Sequence, residues 1–251
     1  MPSACPRARA TARATARARA VRALAAAAVT LPLAGRARAE PLDVDYAVDV
    51  TTVSAYVWRG ELMSPAALAP AAQPYVELGL SPLHGGRLAA GAWTSAFLGA
   101  RDPAYELDPY LSYAAPCGPT TITAGYAVYL QTAGGPAVTM EEASLQVALD
   151  GHRVTPSAGV ATDLVVTESW YAWAALAHQA DLGPLTLATR LEVGASDGRM
   201  VEAALQDATL SARGSLPLGG GAYVAATGAV AYAPRSDRWT PTLAMSVGVA
   251  R

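Results

Sequence analysis

The chain contains no lysine: all 18 of its Lys+Arg residues are arginine. Eight of these precede residue 40, so residues 40–251 hold ten arginines against all 20 Asp+Glu. An acid excess of that size excludes a nucleic-acid surface, which needs clustered basic charge. Of the two cysteines, Cys5 and Cys117, only Cys117 lies beyond residue 40, so no internal disulfide is available to staple a small secreted domain. No stretch after Glu40 approaches the ~20 continuous apolar residues a membrane helix needs. There is no His-Glu-x-x-His or Cys-x-x-Cys pattern. Gly134-Gly135 and Gly219 to Gly221 are not followed by a helical pattern and read as turns, not phosphate loops. No cofactor or metal is expected.

The first segment has its own logic. Arg7, Arg9, Arg13, Arg17, Arg19 and Arg22 precede an apolar run from Ala23 to Ala34, and Ala37-Arg38-Ala39 is a small-x-small site. This is the layout of a secretory signal peptide, 1–39, cleaved before Glu40, with an apolar run too short to span a membrane. The competing reading, a disordered Ala/Arg arm that binds nucleic acid, does not explain why the basic run feeds into an apolar core and a cleavage site.

Beyond residue 40 the dominant pattern is alternation. In Tyr105-Glu-Leu-Asp-Pro-Tyr-Leu-Ser-Tyr113 every second residue is polar or small. A strand turns successive side chains to opposite faces, so Glu106, Asp108, Tyr110 and Ser112 share one side, and Tyr105, Leu107, Pro109, Leu111 and Tyr113 the other. The same pattern recurs at about Asp43 to Arg59, 74–81, 87–97, 121–131, 142–150, 153–162, 169–179, 185–193, Met200 to Arg213, 224–232 and 239–249. The segment at 153–162 is weak, the one at 169–179 is rich in Trp170, Tyr171 and Trp173 without showing which face is which, and the one from Met200 is irregular enough to imply a bulge. In the first segment Asp45, Asp49, Thr51 and Arg59 share the polar face, with Val44, Tyr46, Val48, Val50, Tyr56 and Trp58 opposite.

Twelve such segments behind an export signal predict an all-β fold, a closed antiparallel up-and-down transmembrane β-barrel of 12 strands over 40–251. The count is even and each segment is near the ~9 to 11 residues of a tilted strand. The longer connections fall on one side, which would place both termini in the periplasm. The soluble alternative is a two-sheet sandwich whose apolar faces pack together; low aromatic content and Ala-rich faces favour it, and the number of like segments opposes it.

Several segments resemble a known family. Ser54-Ala-Tyr-Val-Trp-Arg-Gly60, Pro74 before an acidic strand, Gly91-Ala-Trp-Thr-Ser95, Glu106-Leu-Asp-Pro-Tyr110 and Gly125-Tyr-Ala-Val-Tyr129 are similar, in order and spacing, to the TorF-type porin family of Gram-negative bacteria. The likeness covers mainly the first half of the chain. It implies a protein of the cell outer membrane, surrounded by outer-membrane lipid, acting as a channel for passive diffusion of small solutes or ions.

If the polar faces line a lumen, the candidate pore-lining residues are Asp45, Asp49, Arg59, Glu77, Glu106, Asp108, Glu142, Arg190 and Glu192. Acid predominates, so weak cation preference is expected. Charges should face inward, because on the lipid face at mid-membrane they cost up to about 2–4 kcal/mol. Two alternatives stand beside the open channel. The charges could pair across a filled interior, giving an occluded structural barrel, or the rim could carry a lipid- or peptide-hydrolysing site. His84, His152 and His178 fall at or near predicted periplasmic turns, away from any outer-rim Ser or Asp, so no catalytic residues are expected. A homo-oligomer stays open, since no interface signal separates from the lipid-facing band.

Overall fold

The computed structural model describes residues 41–64, 69–83, 85–98, 105–132, 138–166, 169–197 and 205–251. The proposed signal segment, His84 and the span from Met200 to residue 204 lie outside these. The described strands are β1 (Asp43–Val53), β2 (Val57–Trp58), β3 (Glu61–Leu62), β4 (Ala71–Leu83), β5 (Gly86–Phe97), β6 (Tyr105–Cys117), β7 (Thr120–Thr132), β8 (Val138–Leu149), β9 (Val154–Asp163), β10 (Trp170–Leu182), β11 (Leu185–Ser196), β12 (Asp207–Gly219), β13 (Ala222–Ala233) and β14 (Arg238–Ala250). All but β2 and β3 join one closed barrel of 12 antiparallel strands, each beside its neighbour in sequence, with β14 returning to β1. Closure pairs Asp49 with Gly248 and Thr51 with Ser246. The amide of Arg251 then reaches the carbonyl of Tyr46 at 3.0 Å, so the ladder continues to the last residue.

The barrel is inverted relative to a soluble core. Its outer wall exposes Val48, Val50, Leu78, Leu111, Leu176, Leu191, Leu243 and Met245, the last two 71% and 63% accessible. A belt of apolar side chains this continuous is unsuited to water, and among the described residues no second sheet covers it. The sandwich alternative is thereby excluded. Inside, the buried apolar residues are mostly alanines, and buried side chains include Glu106, Asp108, Glu142, Asp163 and Asp207. Outward aromatics gather where strands meet one rim: Tyr105 begins β6, Trp170 begins β10, and Tyr232 stacks on Trp239 with ring centroids 4.6 Å apart. Rings at that height suit the membrane–water boundary.

The two ends differ. At the end bearing both termini, connections are two to four residues long. They use positive-φ glycines such as Gly118, Gly151 and Gly183 to reverse the chain within so short a span. At the opposite end the connection from β1 to β4 is the longest and carries its own two-stranded hairpin, β2 and β3.

Several boundaries differ from the sequence expectation. The first strand stops at Val53, not Arg59, because the chain turns off the wall there. Tyr56 and Trp58 therefore do not face lipid. β6 runs past Tyr113 through Pro116 to Cys117, leaving a two-residue turn before β7. In the irregular strand, pairing begins at Asp207 and the register shift falls between Pro217 and Gly219. The weak segment at 153–162 forms a full strand, paired on both sides by β8 and β10.

Candidate functional site

Closure places one face of every strand toward a common lumen. Register carries the inward set around the wall: Asp45 opposes Gly79, Glu77 opposes Gly91, Trp93 opposes Asp108, Ala127 opposes Glu142, Glu142 opposes Asp163, Gly194 opposes Asp207 and Ala188 opposes Arg213. Among the described residues the inward-facing carboxylates include Asp45, Asp49, Glu77, Glu106, Asp108, Glu142, Asp163, Glu192 and Asp207, with Asp43 and Asp181 in the same phase toward the rim that bears the termini. Against them stand the guanidiniums Arg59, Arg87, Arg190 and Arg213, with Arg238 in the inward phase at the opposite rim.

These charges form two groups. Nearer the termini, Arg87 bridges Asp45 and Glu77: its Nε donates to Asp45 Oδ2 at 2.9 Å, its Nη2 also meets Asp45 Oδ1, and Nη2 reaches Glu77 Oε1 at 2.7 Å. Glu77 accepts in turn from the Tyr110 hydroxyl, which lies 2.8 Å from that of Tyr75. Gly79 makes this possible, since a Cβ there would run into both the Arg87 guanidinium and the Asp45 carboxylate. Asp49 accepts from Thr51 and from Tyr223, each at 2.6 Å, with Arg213 at 4.0 Å. Arg190 and Glu192 pair along one face of β11. These arginines are 36 to 40% accessible, so this part of the lumen is open to solvent and its pairs are screened.

Toward the other end the lumen is crossed by the β2–β3 hairpin. Trp58 pairs with Glu61, leaving Arg59 and Gly60 as a two-residue turn with φ of 47° and 78°. Two successive positive φ values are those of a type I′ hairpin, which glycine enters freely and arginine does not. Gly60 is also packed: a Cβ there would stand 2.5 Å from that of Asp207. Arg59 is held in its uncommon conformation by its side chain. Nη2 donates to Glu142 Oε2 at 2.6 Å, and the guanidinium lies 4.4 Å from the centroid of Trp58 and 4.3 Å from that of Tyr171. Gln206 Nε2 donates to the Arg59 carbonyl at 3.3 Å. The hairpin leaves the wall at β1 and touches β8, β10 and β12, so it spans the lumen.

Aromatic packing seats its base. Tyr56 lies against Trp93, centroids 5.3 Å apart, and Trp58 meets Tyr129 edge-on at 6.1 Å. The Tyr56 amide donates to Ser64 Oγ at 2.7 Å and the Met63 amide to the Tyr56 carbonyl at 2.9 Å, closing the loop on itself. Burial, and next the Glu106 charge, push the Tyr56 hydroxyl above its ordinary range, keeping it a neutral donor beside the carboxylates. Here Glu106, Asp108 and Glu142 are 6, 9 and 7% accessible, in contrast to the wetter network nearer the termini.

All nine candidate residues thus have side chains in the lumen, in separate places. Asp45 and Glu77 share Arg87; Asp49 joins Tyr223; Arg190 and Glu192 pair together; Glu106, Asp108, Glu142 and Arg59 meet at the hairpin. Arg59 arrives from the inserted turn and not from the barrel wall. Sequence reasoning missed Arg87, Arg213, Asp163 and Asp207. Arg87 had a legible signal, since it is in phase with Trp93 and Ser95 along β5. Asp207 had none, lying where the alternation was irregular. His152 sits in a turn at the termini end, and His178 is outward-facing and exposed on β10.

By fold, the molecule groups with the barrels of the bacterial outer membrane, channels and translocators alike. The KdgM porin superposes with a TM-score of 0.54 at 9% identity, over 81% of this chain and 98% of that one. An outer membrane channel from Pseudomonas putida F1 gives 0.51 at 12%, covering 86% and 98%, and the translocator domain of autotransporter NalP from Neisseria meningitidis gives 0.50 at 13%, covering 94% and 98%. At these identities the likeness is one of fold. No protein-family model and no curated protein matches the chain.

Proposed function

We propose that the chain is an outer-membrane, porin-like channel for passive diffusion of small solutes or ions, weakly cation-preferring, and not an enzyme. The carrying observation is the charge of the lumen: among the described residues inward-facing carboxylates outnumber guanidiniums, inside an apolar outer belt. Carboxylates lining a narrow, low-dielectric passage lower the energy of cations within it and raise that of anions. Asp45, Asp49, Arg59, Glu77, Glu106, Asp108, Glu142, Arg190 and Glu192 are proposed as pore wall, with the Arg59 hairpin setting the constriction. The reading includes export by a cleaved segment at 1–39, kinship with the TorF-type porins and outer-membrane lipid around the belt.

One observation favours a second reading. The carboxylates beneath the hairpin are buried, as an occluded structural barrel would have them. Planar-bilayer recording of the refolded protein in KCl separates the two. Conductance steps with a reversal potential displaced toward the potassium equilibrium potential support the channel; a silent bilayer assigns the occluded barrel, and an anion-side displacement overturns the selectivity.

A further inference from the structure

The corner under the hairpin where β5 meets β6 holds more acceptor capacity than the protein satisfies. Ser95 is the cross-strand partner of Glu106, and Asp108, two residues along the same face, is the partner of Trp93. The three side chains are 2, 6 and 9% accessible. Ser95 Oγ and Asp108 Oδ1 are both buried without a hydrogen-bond partner. Glu106 takes a hydrogen bond from Gln131 Nε2 at 2.6 Å. Among the described residues neither Glu106 nor Asp108 meets an arginine, because Arg59, the guanidinium that reaches this level, is committed to Glu142. The Tyr56 hydroxyl also hydrogen-bonds Glu106, and its ring packs against that of Trp93 beside the corner.

Two carboxylates and a hydroxyl in that setting are costly as they stand, since a buried charge without a partner is strongly disfavoured. All three are oxygen donors on neighbouring positions of β5 and β6, and two of their oxygens are orphaned, which is the ligand type a hard cation takes. We propose that Ser95, Glu106 and Asp108 bind a divalent cation of the calcium type beneath the hairpin. Calcium suits it better than magnesium because it accepts irregular oxygen coordination, and better than zinc because no nitrogen or sulfur ligand is at hand. Bound there, it neutralises the floor on which Tyr56 rests and stabilises the inserted hairpin. The site does not require the lumen to conduct.

The test uses the full barrel, refolded in detergent, stripped with EDTA and titrated with CaCl2, read by thermal melting and by intrinsic tryptophan fluorescence. Wild type should gain several degrees in Tm, saturably, as expected for a ligand bound only by the folded state. Asp108→Asn should lose the response, and in EDTA it should melt at or above wild type, since it removes the uncompensated charge. Ser95→Ala, which alters no charge, keeps the test open should the asparagine variant misfold, and should bind about tenfold more weakly, the loss of one ligand hydrogen-bond equivalent. Asp45→Asn, at the other end of the lumen, should respond as wild type does. Equal melting of wild type in EDTA and CaCl2, as from a proton shared between the carboxylates, overturns the proposal; so does an undiminished calcium response in Asp108→Asn or Ser95→Ala.

Discussion

Replacing Arg59 with alanine should release the hairpin from the lumen. The substitution strands the buried Glu142 without its ion-pair partner, and for buried pairs that costs about 3–5 kcal/mol. Tyr129 still donates to Glu142 Oε1 at 3.1 Å, which argues for the lower end. Two ring contacts are lost as well, each worth about 0.5–2 kcal/mol. Some of this loss is recovered by water entering around the freed carboxylate. A net weakening of about 3 kcal/mol shifts the docked-to-free equilibrium of the hairpin roughly 100-fold. Hydrogen exchange reads this directly. The Tyr56 and Met63 amides, bonded within the loop, should exchange on the order of 100-fold faster in Arg59→Ala, while amides of β10 and β11 stay unchanged. Arg59→Lys should be intermediate, keeping charge but losing the planar stack. If Tyr56 and Met63 keep wild-type protection in Arg59→Ala, the arginine does not pin the hairpin, and the aromatic base alone holds it.

The same geometry carries other outcomes. Neutralising Glu106→Gln together with Asp108→Asn should move the reversal potential toward zero in a KCl gradient; an unchanged value would remove both from the conduction path. Arg87→Ala should increase cation preference by freeing Asp45 and Glu77, yet cost only about 1 kcal/mol of stability in a urea titration, because the pair is partly solvated. On the outer wall, Leu176→Arg, at mid-strand in β10, should destabilise insertion into lipid vesicles by about 2–4 kcal/mol. Unheated, folded protein should migrate differently on a gel from boiled protein; identical mobility would contradict a closed barrel.

The strands were legible because alternation is local. Whether Leu107 and Asp108 face opposite ways depends only on the extended backbone between them. Twelve such segments imply enough wall to close, and the inward side of Glu77, Glu106, Glu142 and Glu192 follows from the cost of charge in lipid. The hairpin was not legible for the same reason: after polar Thr52 and Ser54, Tyr56 and Trp58 resume the phase of Tyr46, Val48 and Val50, so the pattern carries on past Val53. What ends the strand there is space inside the barrel and partners on β8, β10 and β12, all remote in sequence.

The sequence by itself therefore determined the class of fold, the number of strands and the sign of the lumen's charge, since each depends on side-chain polarity read residue by residue. Tertiary structure decided which charges meet. Arg59 reaches Glu142 across 83 positions and Arg87 reaches Asp45 across 42, and such pairings are set by register around a closed ring and by which loop turns inward. A two-residue period fixes the face of a side chain but carries no information about its height on the wall or its neighbour across the lumen, because those depend on strand stagger and closure, which only the whole barrel imposes.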